Sequence, residues 1–273
     1  MKRNIAVLCL TTLLVIACNI PSFVTPTATE PPLVLPTSTV DTGNVVTLNN
    51  VSFTLPLGVA NDALTEMVSA ASEAEADPWA VAPAHLKFEL TGYQVQDKFH
   101  KPQIFVYPAD EYAQANPAAS EEIQRVKDII AGAVLSPDAM PHVPFFNAAQ
   151  QIASQMQVID FKNGRGVRFL TQYAQYLAPI NNYELFYHFQ GLTTDGRYYI
   201  IATLPVTSSV LPEDEKPESP VPAGGVPLPA DGMPGAEYYE SVTKVLDSMY
   251  PDSFNPSLFQ LDALIQSITI TLE

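Results

Sequence analysis

The alternation of apolar and polar positions is clearest between Met156 and Leu204. Gln157-Val158-Ile159-Asp160-Phe161 and the run Val167, Phe169, Thr171, Tyr173 flank Asn163-Gly164, and Asn-Gly between period-two runs is the strongest short signal for a β-hairpin. Asp195-Gly196 separates the stretch from Glu184 to Phe189 from that between Arg197 and Leu204 in the same way. Pro179-Ile180-Asn181-Asn182 makes the longer link between the two hairpins. The pattern predicts an antiparallel meander of four strands. Tyr198 to Leu204 is apolar on both alternating faces, which predicts a central strand covered on both sides.

Further strands are predicted at Val51 to Leu55, His85 to Leu90 and Gln103 to Tyr107. From Ser120 to Ala131 the period becomes helical. Ile123, Val126 and Ile130 share a face, Ser120 offers an N-cap, and Glu121 and Glu122 bring negative charge to the first turn. Additional helices are predicted over Asn147 to Gln155, Glu237 to Met249 and Ser257 to Gln266, with Pro251 and Pro256 between the last two. Ile268 and Ile270 predict a closing strand. Runs of strands with helices grouped beside them point to an α+β domain: an antiparallel β-sheet with a central meander, flanked by helices. The proline-rich stretch 205–235, with Glu213-Asp214-Glu215, has the length of a functional loop and the composition of a disordered one.

The chain begins differently. Lys2 and Arg3 precede an apolar stretch from Ile5 to Ala17, the pattern of a secretory signal, and that stretch is too short for a membrane span of about 20 residues. Val15-Ile16-Ala17-Cys18 closes it and resembles a bacterial lipobox. The resemblance implies removal of residues 1–17 and attachment of lipid to Cys18, which would hold the rest on the extracytoplasmic side of a membrane in the cell envelope. Residues 18–43 then form the lipid anchor and a Thr/Pro-rich linker, and 44–273 a single domain. In the extended limit the linker spans about 3.1 Å per residue, enough for a stalk.

Charge and cysteine content narrow the reading. The chain has 13 basic and 29 acidic residues, a net charge of −16, which becomes −18 once Lys2 and Arg3 are removed. Such a surface repels phosphate backbones, so nucleic acid is not an expected partner. Of the two cysteines, Cys9 lies in the segment expected to be removed and Cys18 would carry the lipid, so the domain has no thiol for a disulfide, a nucleophile or a metal.

Candidate chemistry is sparse. His85, His100, His142 and His188 lack the close spacing of a zinc motif, and neither a nucleophile elbow nor a phosphate-binding glycine loop occurs. No catalytic residue, metal ligand or cofactor is therefore assigned. Six of the twelve tyrosines fall between Tyr173 and Tyr199. Tyrosine combines a stacking face with a polar tip, so Arg168, Gln172, Tyr173, Tyr187, His188 and Tyr199 form a candidate ligand-binding set for a small polar ligand.

Asn163-Gly164-Arg165-Gly166-Val167-Arg168, Thr171-Gln172-Tyr173, Pro179-Ile180-Asn181-Asn182, Phe189-Gln190-Gly191-Leu192 and Asp195-Gly196 together resemble a family of uncharacterised bacterial lipoproteins. The layout, with an early strand ending at Pro56 and a last helix leading into Ser267-Ile268-Thr269-Ile270, is distantly similar to the Mog1/PsbP-like α/β/α sandwich. That likeness implies a binding or assembly factor. The expectation is a lipid-anchored binding or accessory domain that takes a protein partner or small polar ligand. The alternative is a hydrolase of envelope or extracellular glycans using paired carboxylates.

Overall fold

In the computed structural model, which describes residues 43–271 apart from 73, 75 and 217, the predicted meander forms part of a seven-stranded antiparallel sheet. The expected signal peptide, Cys18 and most of the Thr/Pro-rich linker lie outside the described residues. In chain order the strands are β1 (Asn44–Leu48), β2 (Val51–Leu55), β3 (Asp62–Val68), β4 (His85–Thr91), β5 (Gln103–Pro108), β6 (Ala149–Phe161), β7 (Gly164–Ala174), β8 (Phe186–Thr193), β9 (Tyr198–Pro205), β10 (Thr207–Ser208), β11 (Phe254–Asn255) and β12 (Thr269–Ile270). The α-helices are α1 (Ala109–Ala115), α2 (Pro117–Ile130), α3 (Ala236–Ser248) and α4 (Leu258–Ser267). The main sheet has the order β3-β4-β5-β9-β8-β7-β6, while β1-β2-β12 and β10-β11 make smaller sheets. The fold is α+β.

β9 is the middle strand of the seven, as its two-sided apolar pattern requires. Ile200, Ala202 and Leu204 enter the larger core with α3, α4 and the β1-β2-β12 sheet. Tyr199 and Ile201 face the opposite way, into a core shared with α1 and α2. Helices therefore cover both faces of the sheet. At the hairpin tip, the Asn163 side chain donates to the Ile270 carbonyl at 2.6 Å and accepts from its N–H at 3.1 Å, which locks the closing strand to the meander. Gly166 faces Gly191 across the β7–β8 ladder, and a methyl group there would meet the Gln190 carbonyl oxygen at 2.3 Å, so this close approach needs glycine.

Two expectations change. Asn147 to Gln155 is not a helix, since β6 starts at Ala149 and pairs with β7 from Ala149↔Ala174 onward. Its alanines and glutamines favour a helix, but propensity is a weak prior and the ladder with β7 overrides it. The second helix starts at Pro117 rather than Ser120. Asn116 caps it, accepting from the N–H groups of Ala118 and Ala119 at 3.1 and 3.3 Å. The Asn116 amide also donates to the Val81 carbonyl at 3.1 Å, tying the helix to the preceding loop.

The start of the proline-rich stretch is pinned. Asn182 donates to the carbonyls of Ser208 and Leu211, both at 3.0 Å, and accepts from the Ser208 N–H at 2.8 Å. Those bonds bring the acidic run beside the end of the sheet where β7 ends and β8 begins.

Candidate functional site

Antiparallel pairing collects several connections at that end of the sheet. The residues before β5, before β6, after β7 and before β8 all meet there, because Gln103 pairs with Thr203, Phe186 with Pro205 and Ala149 with Ala174. Between them lies a hollow of about 440 Å³, lined by Phe99, His100, Phe146, Tyr173, Tyr176, Glu184 and Glu215 among others. Its volume falls in the range of about 300–1,000 Å³ usual for small-molecule sites.

The wall is aromatic. The His100 ring lies 4.4 Å from Phe186, 5.1 Å from Phe146 and 4.9 Å from Phe99, and Phe146 lies 4.8 Å from Tyr173, all centroid to centroid. Phe99 and Tyr176 form the rim and are 59% and 56% exposed. Glu122 of α2 holds the loop that carries Phe146, accepting from the His142 N–H at 3.0 Å.

The two carboxylates come from different segments. Asn181 accepts from the N–H groups of Tyr183 and Glu184 at 2.9 and 3.1 Å and donates to the Glu184 carboxylate at 2.9 Å, so the turn itself aims Glu184. Burial raises the Glu184 carboxyl above its ordinary range. The Asn181 hydrogen bond opposes that, and the nearby Glu215 charge adds to it. Tyr176 donates its hydroxyl proton to Glu215, and that bond, with the surrounding charge, pushes the phenol up to about 12.

The strand period divides the candidate ligand set. Tyr173 alone among those six residues lines the hollow. His188 and Tyr199 lie on the same sheet face but are fully buried. Both meet Gln190, which lies 2.6 Å from a His188 ring nitrogen, accepts from the Tyr199 hydroxyl and donates to the Val143 carbonyl at 2.7 Å. Arg168 and Tyr187 point to the opposite face, where both meet Asp262 of α4, at 3.3 and 2.9 Å. Gln172 braces the turn that carries Glu184, accepting from the Asn181 N–H and donating to the Pro179 carbonyl, each at 3.0 Å. Its role in the hollow is one of positioning.

Phe99, His100, Phe146, Tyr176, Glu184 and Glu215 were not in the candidate set. The readable signal was aromatic residues placed in connections at one end of a meander rather than along its strands. Among the described residues, no group of three or more histidine, cysteine or acidic side chains could hold a metal ion. None of their helices is long and apolar enough to cross a membrane.

No family model matches the chain, and neither a curated protein nor a solved structure matches it.

Burial beneath the aromatic wall has a consequence for pH. It lowers His100 from 6.5 to about 4 and His188 to about 3. The folded state keeps both rings neutral, whereas the unfolded chain takes up protons first as pH falls. Their stabilising contribution is complete above about pH 6.5 and is lost as pH falls toward the folded values, at about 1.4 kcal/mol per pH unit for each ring. His100→Gln is therefore expected to lose about 2 kcal/mol less than the wild type between pH 7 and 5. Urea titrations at both pH values check this, and equal losses in the two proteins would remove His100 from the account.

Proposed function

We propose that the chain is a lipid-anchored, extracytoplasmic binding domain, tethered through Cys18, that receives a ligand or a partner's side chain in the aromatic hollow. The observation carrying this reading is the hollow itself, whose exposed rim residues Phe99 and Tyr176 stand over a wall of packed rings. Large aromatic side chains left exposed around a concavity are a common feature of recognition sites. The net charge of −16 argues against nucleic acid as the partner. A likeness to the Mog1/PsbP-like sandwich adds no activity, because a fold alone does not fix function.

The test is crosslinking of the full chain in its native membrane, followed by mass spectrometry of captured proteins and small molecules. Phe99→Ala and Tyr176→Ala alter exposed residues, so they are expected to leave the fold intact and to reduce recovery of the specific partner severalfold. Undiminished recovery with both variants would remove the hollow from the reading.

One observation favours the second reading, a glycan hydrolase. Glu184 and Glu215 share a hollow, and Glu184 is held above the usual carboxylate range. It stands second because both carboxylates already serve local structure, one closing the Asn181 turn and the other holding Tyr176. Turnover of glycan substrates that falls about a hundredfold or more in Glu184→Gln would reverse that order.

A further inference from the structure

We infer that the hollow recognises an organic cation, an alkylammonium or quaternary ammonium group, seated against the aromatic wall with Glu184 and Glu215 as its counter-charges. This inference rests on the binding reading and names the chemistry of its ligand.

The argument begins with an imbalance. Among the described residues, neither Glu184 nor Glu215 makes an ion pair. The neighbouring lysines do not line the hollow: Lys98 lies 3.9 Å from Glu213, and Lys216 pairs with Asp214 at 2.5 Å while also feeling the Glu215 charge from outside. The one lining side chain able to become a cation in the neutral range, His100, is kept neutral there by burial. Two carboxylates thus face the same space without a positive charge inside it, and the Glu215 charge raises the cost of ionising Glu184. An anionic ligand would add to the repulsion. A neutral ligand would leave it unrelieved and would desolvate the Glu184 carboxylate further.

The wall chooses among cations. A small metal ion needs several oxygen ligands converging at short range, but the two carboxylates here stand among rings, amides and alanines, and no metal-holding group is found among the described residues. Ring faces carry negative electrostatic potential and attract weakly hydrated, spread-out positive charge, which is the property of substituted ammonium groups. Phe146, Phe99 and Tyr176 line the same hollow as the two carboxylates, so such rings stand where the cation would sit. The acidic surface as a whole would steer cations inward.

The experiment titrates the full chain, in nonionic detergent micelles, with choline and with its neutral isostere 3,3-dimethylbutan-1-ol, read by calorimetry. Choline is expected to bind about tenfold or more tightly than the isostere, in line with the usual worth of cation–π contacts and charge pairing. Glu184→Gln and Glu215→Gln should each weaken choline severalfold while changing the affinity for the isostere much less, with circular dichroism confirming that both variants remain folded. Phe146→Leu should weaken choline as well, which diffuse attraction to an acidic surface would not produce. Equal affinity for the two probes would overturn the cation inference while leaving the hollow as a binding site. Choline binding untouched by Phe146→Leu would overturn it too. Binding of neither probe would overturn it alone where crosslinking still recovers a partner sensitive to Phe99 and Tyr176, and would sink the binding reading with it where crosslinking recovers none.

Discussion

Asp262→Ala is expected to destabilise the domain by about 3–5 kcal/mol, the usual cost of leaving one member of a buried ion pair without its partner. The Arg168 side chain is 3% exposed and that of Asp262 is 11% exposed, so bulk water cannot take over the lost contact. Arg168 also donates to the Gln155 carbonyl and, at 2.9 Å, to the Gln157 side chain, which hold the guanidinium in place after its counter-charge has gone. The same substitution removes the acceptor of the buried Tyr187 hydroxyl at 2.9 Å. Arg168→Met should cost less, because Asp262 can take up a proton. Burial already raises its carboxyl despite the opposing attraction of Arg168. That direction means the ionised form is less favourable in the fold than in water, so the pair does not fully offset its own desolvation. The double variant Arg168→Met with Asp262→Leu is therefore expected to recover most of the loss. Urea unfolding at pH 7 of the three variants checks the set. A loss below about 1 kcal/mol in Asp262→Ala would show that the pair is better solvated than its burial indicates.

This cluster also shows where reading from the sequence stops. Arg168, Tyr173, Tyr187 and His188 lie close together along the meander, and the meander itself is legible in the sequence. Its hairpins carry Asn-Gly and Asp-Gly turns, and its strands keep period two over long stretches. Period two also turns successive side chains to opposite faces. Arg168 and Tyr187 therefore meet α4, while Tyr173 and His188 meet the face covered by α2 and its following loop. Which face holds a concavity depends on the connections packed at the sheet's end. No local pattern sets that packing.

The overlooked elements have related causes. β3 is an edge strand with most positions exposed, including Leu64 and Met67, so its sequence carries no buried alternation to read. α1 is seven residues long and follows directly on β5, too short for a helical period to register. Its Tyr112 nevertheless stacks 4.5 Å from Tyr107, and that aromatic contact belongs to the core under α2. In each case tertiary partners supply what the segment lacks by itself. The hollow follows the same logic, since Glu184 and Glu215 lie 31 positions apart and meet through the bonds that Asn182 makes to Ser208 and Leu211.

Cys18→Ser is expected to abolish incorporation of labelled palmitate and to release most of the protein from washed membranes. The size of the effect follows from the chemistry of a lipid anchor. Each buried CH₂ contributes about 0.8 kcal/mol, a single acyl chain binds only marginally, and two or three chains hold a protein stably at a membrane. A thioether at Cys18, as proposed, would carry all of that, and its loss would remove it at once. Little remains to replace it. The stretch from Ile5 to Ala17, if uncleaved, would extend only about 20 Å as a helix, against a hydrocarbon core of about 30 Å. The helices of the described residues are too short or too polar to span one, and the acidic surface is repelled by anionic headgroups. Labelling and membrane release read separate steps, so they divide the outcomes. Release without loss of label would place the lipid on another residue. Persistent label and persistent retention together would overturn the assignment of Cys18 and return the leader to an ordinary secretory signal, with some other group responsible for the membrane.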